Sequence, residues 1–200
     1  IRLIEPTNGK IFYNNEDITE FSEKEMRKLR KDFQIIFQDP YASLDPRKKI
    51  FDIISQGISI HNKMNKSKIY DKVLEIIKDV GLQEEHLSRY PHEFSGVQRQ
   101  RIGIARALVL DPKFIIADEP VSALDVTIQA QILNLILALK EKYSLTILFI
   151  SHDLSVINQI ADRVMVMYLG HIVEIANTKN LFSNPKHPYT RSLIETAPQI

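Results

Sequence analysis

The stretch that decides the fold is FIIADEP, at residues 114–120. Its apolar residues predict a buried β-strand, and two adjacent acids, Asp118 and Glu119, follow directly. Ligands of open α/β sheets bind at the carboxyl ends of the strands. There Asp118 can hold Mg²⁺, which prefers one or two carboxylates together with phosphate oxygens. Glu119 can polarise a water for in-line attack on a γ-phosphate. A strand that merely ends in two solvated acids fits the same residues.

The apolar pattern around this stretch predicts the rest of the core. Further buried strands are expected at two near-continuous apolar runs, Thr146 to Ile150 and Val164 to Met167. A shorter β-prone run extends from Phe33 to Phe37, and a helical stripe lies between Ile128 and Leu139. From about Ser43 to Leu110 the periodicity is helical. This order predicts a parallel α/β core that a helical insertion interrupts.

Local signals predict smaller elements near the start of the chain. Short extended pieces are expected with a turn at Asn14-Asn15. Ser22 and Glu25 have capping-box spacing, so a helix is expected from Glu23 to about Lys31. Basic and acidic residues alternate along this helix, which favours a solvated face over a nucleic-acid patch.

Composition limits the classes of protein to which the chain can belong. The 200 residues are 44% hydrophobic and 26% charged, with a formal net charge of +1. This balance predicts a folded domain with a sizeable core and gives no support for nucleic-acid binding. There are no cysteines, so structural disulfides and thiolate metal sites are excluded. No apolar run approaches the about 20 residues that a membrane-spanning helix needs.

Three further polar positions bear on the predicted site. Gln38 closes the strand before the helical insertion, where its amide can reach a metal or an attacking water. The segment Ser95-Gly96-Val97-Gln98 starts a predicted helix, where a hydroxyl and backbone N–H groups suit an anion. His152 follows a predicted strand and can donate to a γ-phosphate or orient the water, although a lone histidine is more often structural or on the surface. We expect Gln38, Asp118, Glu119 and His152 to converge on one cleft.

Together these residues resemble the nucleotide-binding domain of ABC transporters, over essentially the whole chain. Gln38 is similar to the Q-loop glutamine, residues 95–98 to the ABC signature and residues 114–119 to Walker B. Residues 122–125 resemble the D-loop, and His152 resembles the switch histidine of the H-loop. All five motifs occur in the order that the family has.

A narrower resemblance is to the oligopeptide/dipeptide importer branch of that family. It rests on IFQDPYASLDPR at residues 36–47, YPHEFSG at residues 90–96 and HPYTRSL at residues 187–193. The last of these is similar to the C-terminal extension of the branch. Relatives that import nickel or glutathione carry the same markers, so the resemblance leaves those cargoes open beside peptides.

The resemblance implies a P-loop NTPase-like fold with three parts. These are an α/β core at residues 1–39 and 111–176, a helical subdomain with the signature at residues 40–110, and the extension at residues 177–200.

The function that the resemblance implies is ATP hydrolysis that drives import of a solute, with ATP and Mg²⁺ as cofactors. Two such domains dimerise head to tail, so that each ATP lies between the Walker motifs of one and the signature of the other. The expected partners are a second ATPase subunit, transmembrane permease subunits and, indirectly, a substrate-binding protein. The expected location is the cytoplasmic face of a bacterial or archaeal membrane. No nucleic acid is expected as a partner. The implied sites are Ser95, Gly96, Val97, Gln98 and Asp125 for ATP, Asp118 and Gln38 for Mg²⁺, and Glu119, His152 and Gln38 for catalysis.

The chain departs from the family pattern in two places. A phosphate loop needs G-x-x-x-x-G-K followed by Ser or Thr, whereas Gly9-Lys10 is followed by Ile11. We therefore expect that the first strand and the Walker A loop are missing by truncation at the N-terminus, and that the 200 residues alone are inactive. Val97 stands where the signature has a second glycine, and its branched Cβ disfavours a positive φ and crowds a close phosphate. Val97 therefore either weakens the binding of ATP between the two subunits of the dimer or is a tolerated variant.

Two alternatives stay open. One is a soluble ABC ATPase that acts on nucleic acid, although such relatives usually replace the helical lobe with a coiled-coil or zinc-bearing insertion, and this insertion is short and lacks cysteine. The other is a non-catalytic regulatory subunit, which Val97 favours and the presence of Glu119 and His152 opposes.

Overall fold

The computed structural model describes residues 1–39, 42–61, 64–122 and 124–196. The chain forms two compact units, Ile1–Leu148 and Phe149–Ile200. Each has an apolar cluster of its own. None of the helices in the described ranges combines the length and the hydropathy that crossing a membrane requires.

The first unit begins with a short hairpin and one helix. Strands β1 (Phe12–Tyr13) and β2 (Glu16–Asp17) pair antiparallel around Asn14-Asn15, whose φ angles are 50° and 65°. Asparagine tolerates this left-handed conformation, which two-residue hairpin turns need. Helix α1 (Glu23–Leu29) begins at the predicted capping box. The turn and the helix are thus confirmed.

The parallel sheet predicted around residues 114–120 is present in this unit. Strand β3 (Phe33–Ile36) pairs in parallel with β4 (Phe114–Asp118), and Ile36 lies opposite Ala117. Strand β5 (Thr146–Ile150) comes third in the order β3–β4–β5. Because β3 and β4 run in the same direction, the residues after Ile36 and Ala117 emerge at the same edge of the sheet.

Between β3 and β4 the chain is helical, as predicted. It forms α2 (Ile50–His61), α3 (Lys66–Asp79) and α4 (Gly96–Leu108), with 3-10 turns at Glu84–Ser88 and Pro91–Glu93. The three helices pack against one another. Their fully buried aliphatic side chains include Ile50, Ile54, Ile58, Val73, Ile77, Ile102, Ile104 and Leu108.

Helix α5 (Val126–Lys142) follows β4 and carries the predicted apolar stripe. Its buried residues are Ile132, Leu133, Ile136 and Leu139. Asp79 at the end of α3 accepts hydrogen bonds from Lys142 and Tyr143 at the end of α5. The helical insertion is thus attached to α5 by a charged contact within the first unit.

In its described residues, 149–196, the second unit contains the end of β5, two further strands and three helices. Strands β6 (Arg163–Tyr168) and β7 (His171–Asn177) pair antiparallel. The helices are α6 (Leu154–Ile160), α7 (Thr178–Ser183) and α8 (Pro188–Thr196). Val164, Val166, Ile157 and Leu181 form the buried cluster of this unit.

The prediction that Val164 to Met167 is a buried strand of the parallel core is wrong. This run belongs to a two-stranded antiparallel sheet, and Met165 and Met167 are 51% and 61% exposed. A continuous apolar run does not distinguish a strand buried on both faces from one with apolar residues on an open face. The turn after the run, at Leu169-Gly170, has positive φ at both residues, as a tight hairpin requires.

Candidate functional site

The centre of the site is a hydrogen bond between Gln38 and Glu119. The Gln38 Nε2 atom donates to Glu119 Oε2 at 2.8 Å, although the residues are 81 positions apart. The parallel register explains the contact, because Gln38 and Glu119 each lie two positions beyond the paired residues Ile36 and Ala117. The structure therefore brings together two of the residues that the sequence predicted to meet.

A sharp turn at the end of β4 sets the position of Glu119. Its φ is +44°, in the left-handed region that residues with a Cβ rarely adopt. Ser122 closes the turn, because its N–H and its hydroxyl both donate to the Glu119 carbonyl, at 3.2 and 3.1 Å. Val121 is buried and its carbonyl accepts from Gln129 Nε2 of α5 at 3.2 Å. The turn is thus held by both the core and α5.

Asp118 is the last residue of β4 and is half-buried. It lies directly before Glu119. The carboxylates of Asp118 and Glu119 and the amide of Gln38 therefore belong to residues at one edge of the sheet. Within the described ranges, no group of three or more His, Cys, Asp or Glu side chains forms a metal site. The donor set suits Mg²⁺ held with phosphate oxygens, since Mg²⁺ needs only one or two carboxylates from the protein. Because Gln38 Nε2 is engaged with Glu119, its amide oxygen is the atom that can face a metal.

The segment that resembles the signature lies at the start of α4. Ser95 caps the helix, since its hydroxyl accepts from Gln98 N–H at 3.3 Å and its own N–H donates to Gln98 Oε1 at 3.1 Å. Ser95 is exposed, and apart from Gly96, its two chain neighbours and the backbone of α4 itself, no described atom lies within 4 Å of the point where a Cβ would stand on Gly96. The first turn of this 13-residue helix is therefore open to an anion.

Val97 is the second residue of α4, and its φ is not positive. The expectation that its branched Cβ conflicts with a positive φ is therefore wrong. The first turn of a helix needs a φ near −60°, which valine adopts without strain. Crowding of an incoming phosphate by this side chain stays a prediction.

Two other predicted residues cap helices or lie beside caps. Asp125 is exposed and caps α5, accepting from Ile128 N–H at 3.1 Å. Ala123, in the segment that resembles the D-loop, lies outside the described residues. His152 belongs to the second unit, is exposed, and precedes Asp153, the cap of α6. Hydrogen bonds from Ser155 lower the pKa of Asp153, and the charge of His152 lowers it further. The convergence of His152 with Glu119 stays a prediction.

One residue near the site was missed by the sequence analysis. Arg106 of α4 donates from Nη1 to the Ser43 carbonyl, and its guanidinium lies 5.8 Å from the centre of the Phe37 ring. Burial lowers the pKa of Arg106. The available signal was a single arginine within the otherwise apolar run IGIARAL at residues 102–108.

Comparison with known proteins places the chain in a family. A family model described as "ABC transporter" matches residues 1–122, and one described as "Oligopeptide/dipeptide transporter, C-terminal region" matches residues 173–200. The chain is 54% identical over 199 residues to the oligopeptide transport ATP-binding protein AppF of Bacillus subtilis, covering 99% of this chain and 60% of the relative. It is 50% identical over 196 residues to the dipeptide transport ATP-binding protein DppF of Haemophilus influenzae, covering 98% and 60%. The chain thus spans 60% of the length of these two relatives.

Solved structures agree with this placement. The structure of cbiO1 from Clostridium perfringens, described as part of the ABC transporter complex cbiONQ, is 30% identical with a TM-score of 0.81, covering 91% of this chain and 71% of that one. The ATP-binding cassette MJ0796, solved as a dimer bound to ADP and Pi, is 27% identical with a TM-score of 0.77, covering 88% and 76%. Because the ABC transporter model matches more than half of the chain, this chain belongs to the ABC transporter family.

Proposed function

We propose that this chain is the catalytic part of an ATP-binding subunit that drives import of oligopeptides or dipeptides. The observation that carries the proposal is the Gln38–Glu119 hydrogen bond beside Asp118, at the edge where two parallel strands end. ATP hydrolysis needs a group that polarises water and groups that hold Mg²⁺ and phosphate. The residues at this edge have that chemistry.

Each side chain has a distinct part in the proposed reaction. Bound MgATP supplies the phosphoryl group and the charge that stabilises the leaving phosphates. Glu119 accepts a hydrogen bond from the attacking water and takes its proton, and the Gln38 amide holds the Glu119 carboxylate in place. The metal is held by the Asp118 carboxylate and the Gln38 amide oxygen. The proposed role of His152, which rests on the family resemblance, is to contact the γ-phosphate or the attacking water.

A second ATPase subunit, either a copy of this chain or a different one, is proposed to complete the nucleotide site. The start of α4, at Ser95, Gly96, Val97 and Gln98, binds the phosphates of the ATP held by the partner, and Asp125 lies beside them. The MJ0796 cassette was solved as a dimer, which supports the pairing of two ATPase subunits. We also propose the division into a core (residues 1–39 and 111–176), a helical subdomain (residues 40–110) and an extension (residues 177–200).

The cargo is proposed from the relatives and from the extension. AppF and DppF are named as oligopeptide and dipeptide transport proteins. These names favour peptides over nickel or glutathione, and the match of residues 173–200 to the oligopeptide/dipeptide C-terminal region agrees with a peptide cargo. The proposed partners are permease subunits, with a substrate-binding protein acting indirectly, at the cytoplasmic face of the membrane. The description of cbiO1 as part of a transporter complex supports this.

The test is transport by the protein that carries this chain, reconstituted with its permease in vesicles. We expect Mg²⁺-dependent ATP turnover and uptake of a labelled tetrapeptide, with competition by unlabelled peptide. If Ni²⁺ or glutathione competes instead, the proposed cargo is wrong and the proposed ATPase activity is unaffected. Uptake that continues when Glu119 and its counterpart on the second ATPase subunit are both changed to Gln would contradict the catalytic assignment.

A further inference from the structure

Arg106 contacts the chain on both sides of Gln38. Phe37 immediately precedes Gln38, and its ring lies under the Arg106 guanidinium at 5.8 Å. Ser43 follows Gln38 in the chain, and its carbonyl accepts a hydrogen bond from Arg106 Nη1. One side chain of α4 therefore touches both ends of the short segment that carries the Gln38 amide.

Two hydrogen bonds link Asp39, the residue after Gln38, to Ala42 and Ser43. The Asp39 carbonyl accepts from Ser43 N–H at 3.2 Å, and Asp39 Oδ1 accepts from Ala42 N–H at 3.3 Å. These bonds keep Ser43 close to the residue after Gln38. A group that holds Ser43 and Phe37 consequently restrains the backbone of Gln38 from both directions.

Arginine suits this position for chemical reasons. Its planar guanidinium can lie over an aromatic ring and donate in its own plane to a carbonyl at the same time. Ala105 and Ala107 on either side of Arg106 are fully buried, so the helix that supports the guanidinium is anchored in the core. A lysine keeps the charge but not the planar fork.

We propose that Arg106 is a positioning residue for Gln38: it fixes the segment from Phe37 to Ser43 on α4 and thereby keeps the Gln38 amide on Glu119. This inference rests on the proposed function, because it gives Gln38 a part in ATP turnover. Since Ser95 caps the start of α4 and Arg106 lies near its end, the same helix that presents the signature also holds Phe37 and Ser43.

The experiment is a double-mutant cycle on ATP turnover by the full protein that carries this chain, with Arg106→Met and Gln38→Ala. Alone, Arg106→Met is expected to lower kcat about tenfold while KM for ATP changes less than about threefold, because it displaces a catalytic contact. In the Gln38→Ala protein the same change is expected to lower kcat less than about twofold, since the contact is already gone.

Arg101→Met is the matched control. Arg101 lies on the same helix and donates to a backbone carbonyl, that of Val80 at 2.6 Å, which belongs to the end of α3. Arg101→Met is expected to change kcat by the same factor in the unmodified protein and in the Gln38→Ala protein. If Arg106→Met does not fold, Arg106→Lys and Phe37→Leu are each combined with Gln38→Ala in its own cycle. Both substitutions are expected to lower kcat less in the Gln38→Ala protein than in the unmodified protein.

The outcomes separate the two proposals. If Gln38→Ala and Glu119→Gln leave kcat unchanged, the proposed function is wrong at this site. If both lower kcat, yet Arg106→Met lowers it by equal factors in the two backgrounds, Arg106 has only a structural role and this inference alone is overturned.

Discussion

Gln38 donates a hydrogen bond to Glu119 at 2.8 Å across 81 residues of sequence. The bond exists because β3 and β4 are parallel neighbours in a register that sets Ile36 opposite Ala117. The whole helical insertion lies between the two residues in the chain. The hydrogen bond therefore joins the ends of the two strands that flank the helical insertion.

The first prediction concerns the chemistry of Glu119. In the protein that carries this chain, Glu119→Gln is expected to lower kcat at least about 100-fold, because the amide cannot accept the proton of the attacking water. The Kd for ATP is expected to change less than about threefold, since the variant keeps an oxygen that can accept from Gln38. Single-turnover ATP hydrolysis and equilibrium binding measure the two quantities.

Glu75→Gln is the control, because Glu75 is an exposed acid of α3. It is expected to leave both quantities unchanged. Near-normal kcat in Glu119→Gln would remove Glu119 from the catalytic role.

The second prediction concerns the backbone of Glu119. A left-handed φ costs a residue with a Cβ about 1–2 kcal/mol and costs glycine almost nothing. Glu119→Gly is therefore expected to be more stable than Glu119→Ala, by about 1 kcal/mol, in urea unfolding. At Glu75, inside α3, the order should reverse, with alanine the more stable by about 1 kcal/mol. The same order at both positions would show that the +44° angle carries no strain.

The sequence predicts those parts of the site that depend on periodicity and on strand ends. A run of apolar residues that stops at two acids indicates where β4 ends, and the β-prone run before Gln38 indicates where β3 ends. Parallel pairing then requires the two ends to meet at one edge. The contact between Gln38 and Glu119 follows from those two inferences. The predicted capping box at Ser22 is equally local, because its bonds join residues three positions apart.

Other features are set by neighbours that the sequence does not reveal. Val164 to Met167 has the hydropathy of a core strand, but it pairs with β7 in an antiparallel sheet, and its two methionines are exposed. The backbone angle at Val97 depends on where α4 begins, and glycine in a related motif does not by itself require a positive φ. Arg106 faces Phe37 and Ser43 because α4 packs beside β3, which is a tertiary contact.

The third prediction concerns Val97. If its branched side chain crowds the phosphate of a partner's ATP, Val97→Ala should strengthen ATP-dependent dimer formation several-fold, since it removes both γ-methyl groups. Val97→Gly should strengthen it as well but should lower the stability of α4 relative to the alanine variant by about 1 kcal/mol. Size-exclusion chromatography with ATP in the Glu119→Gln background measures dimer formation. If neither variant alters the dimer, valine at this position is a tolerated variant.

The last prediction concerns pH and the C-terminal segment. Glu174 of β7 accepts from the backbone N–H of His187 and of Lys186, each at 2.9 Å, through its two carboxylate oxygens. These two bonds, that from His187 first, hold the pKa of Glu174 below its usual value of 4.5. A lowered pKa means that the folded form prefers the ionised carboxylate. The stabilisation is therefore complete above about pH 4.5 and is lost as the pH falls through the lower, folded-state pKa.

Glu174→Gln tests this sign directly. Its amide has one oxygen to offer two N–H donors, so at pH 7 the His187 and Lys186 amides should exchange hydrogen faster than in the unmodified protein. Protection factors, measured by hydrogen exchange from pH 7 down to pH 3, should differ most at neutral pH and converge as the Glu174 carboxylate protonates in the unmodified protein. Glu195→Gln, on the exposed end of α8, is the matched control and should leave both amides unchanged at every pH. Equal protection of the His187 amide in both proteins at pH 7 would mean that the carboxylate does not hold this segment on β7.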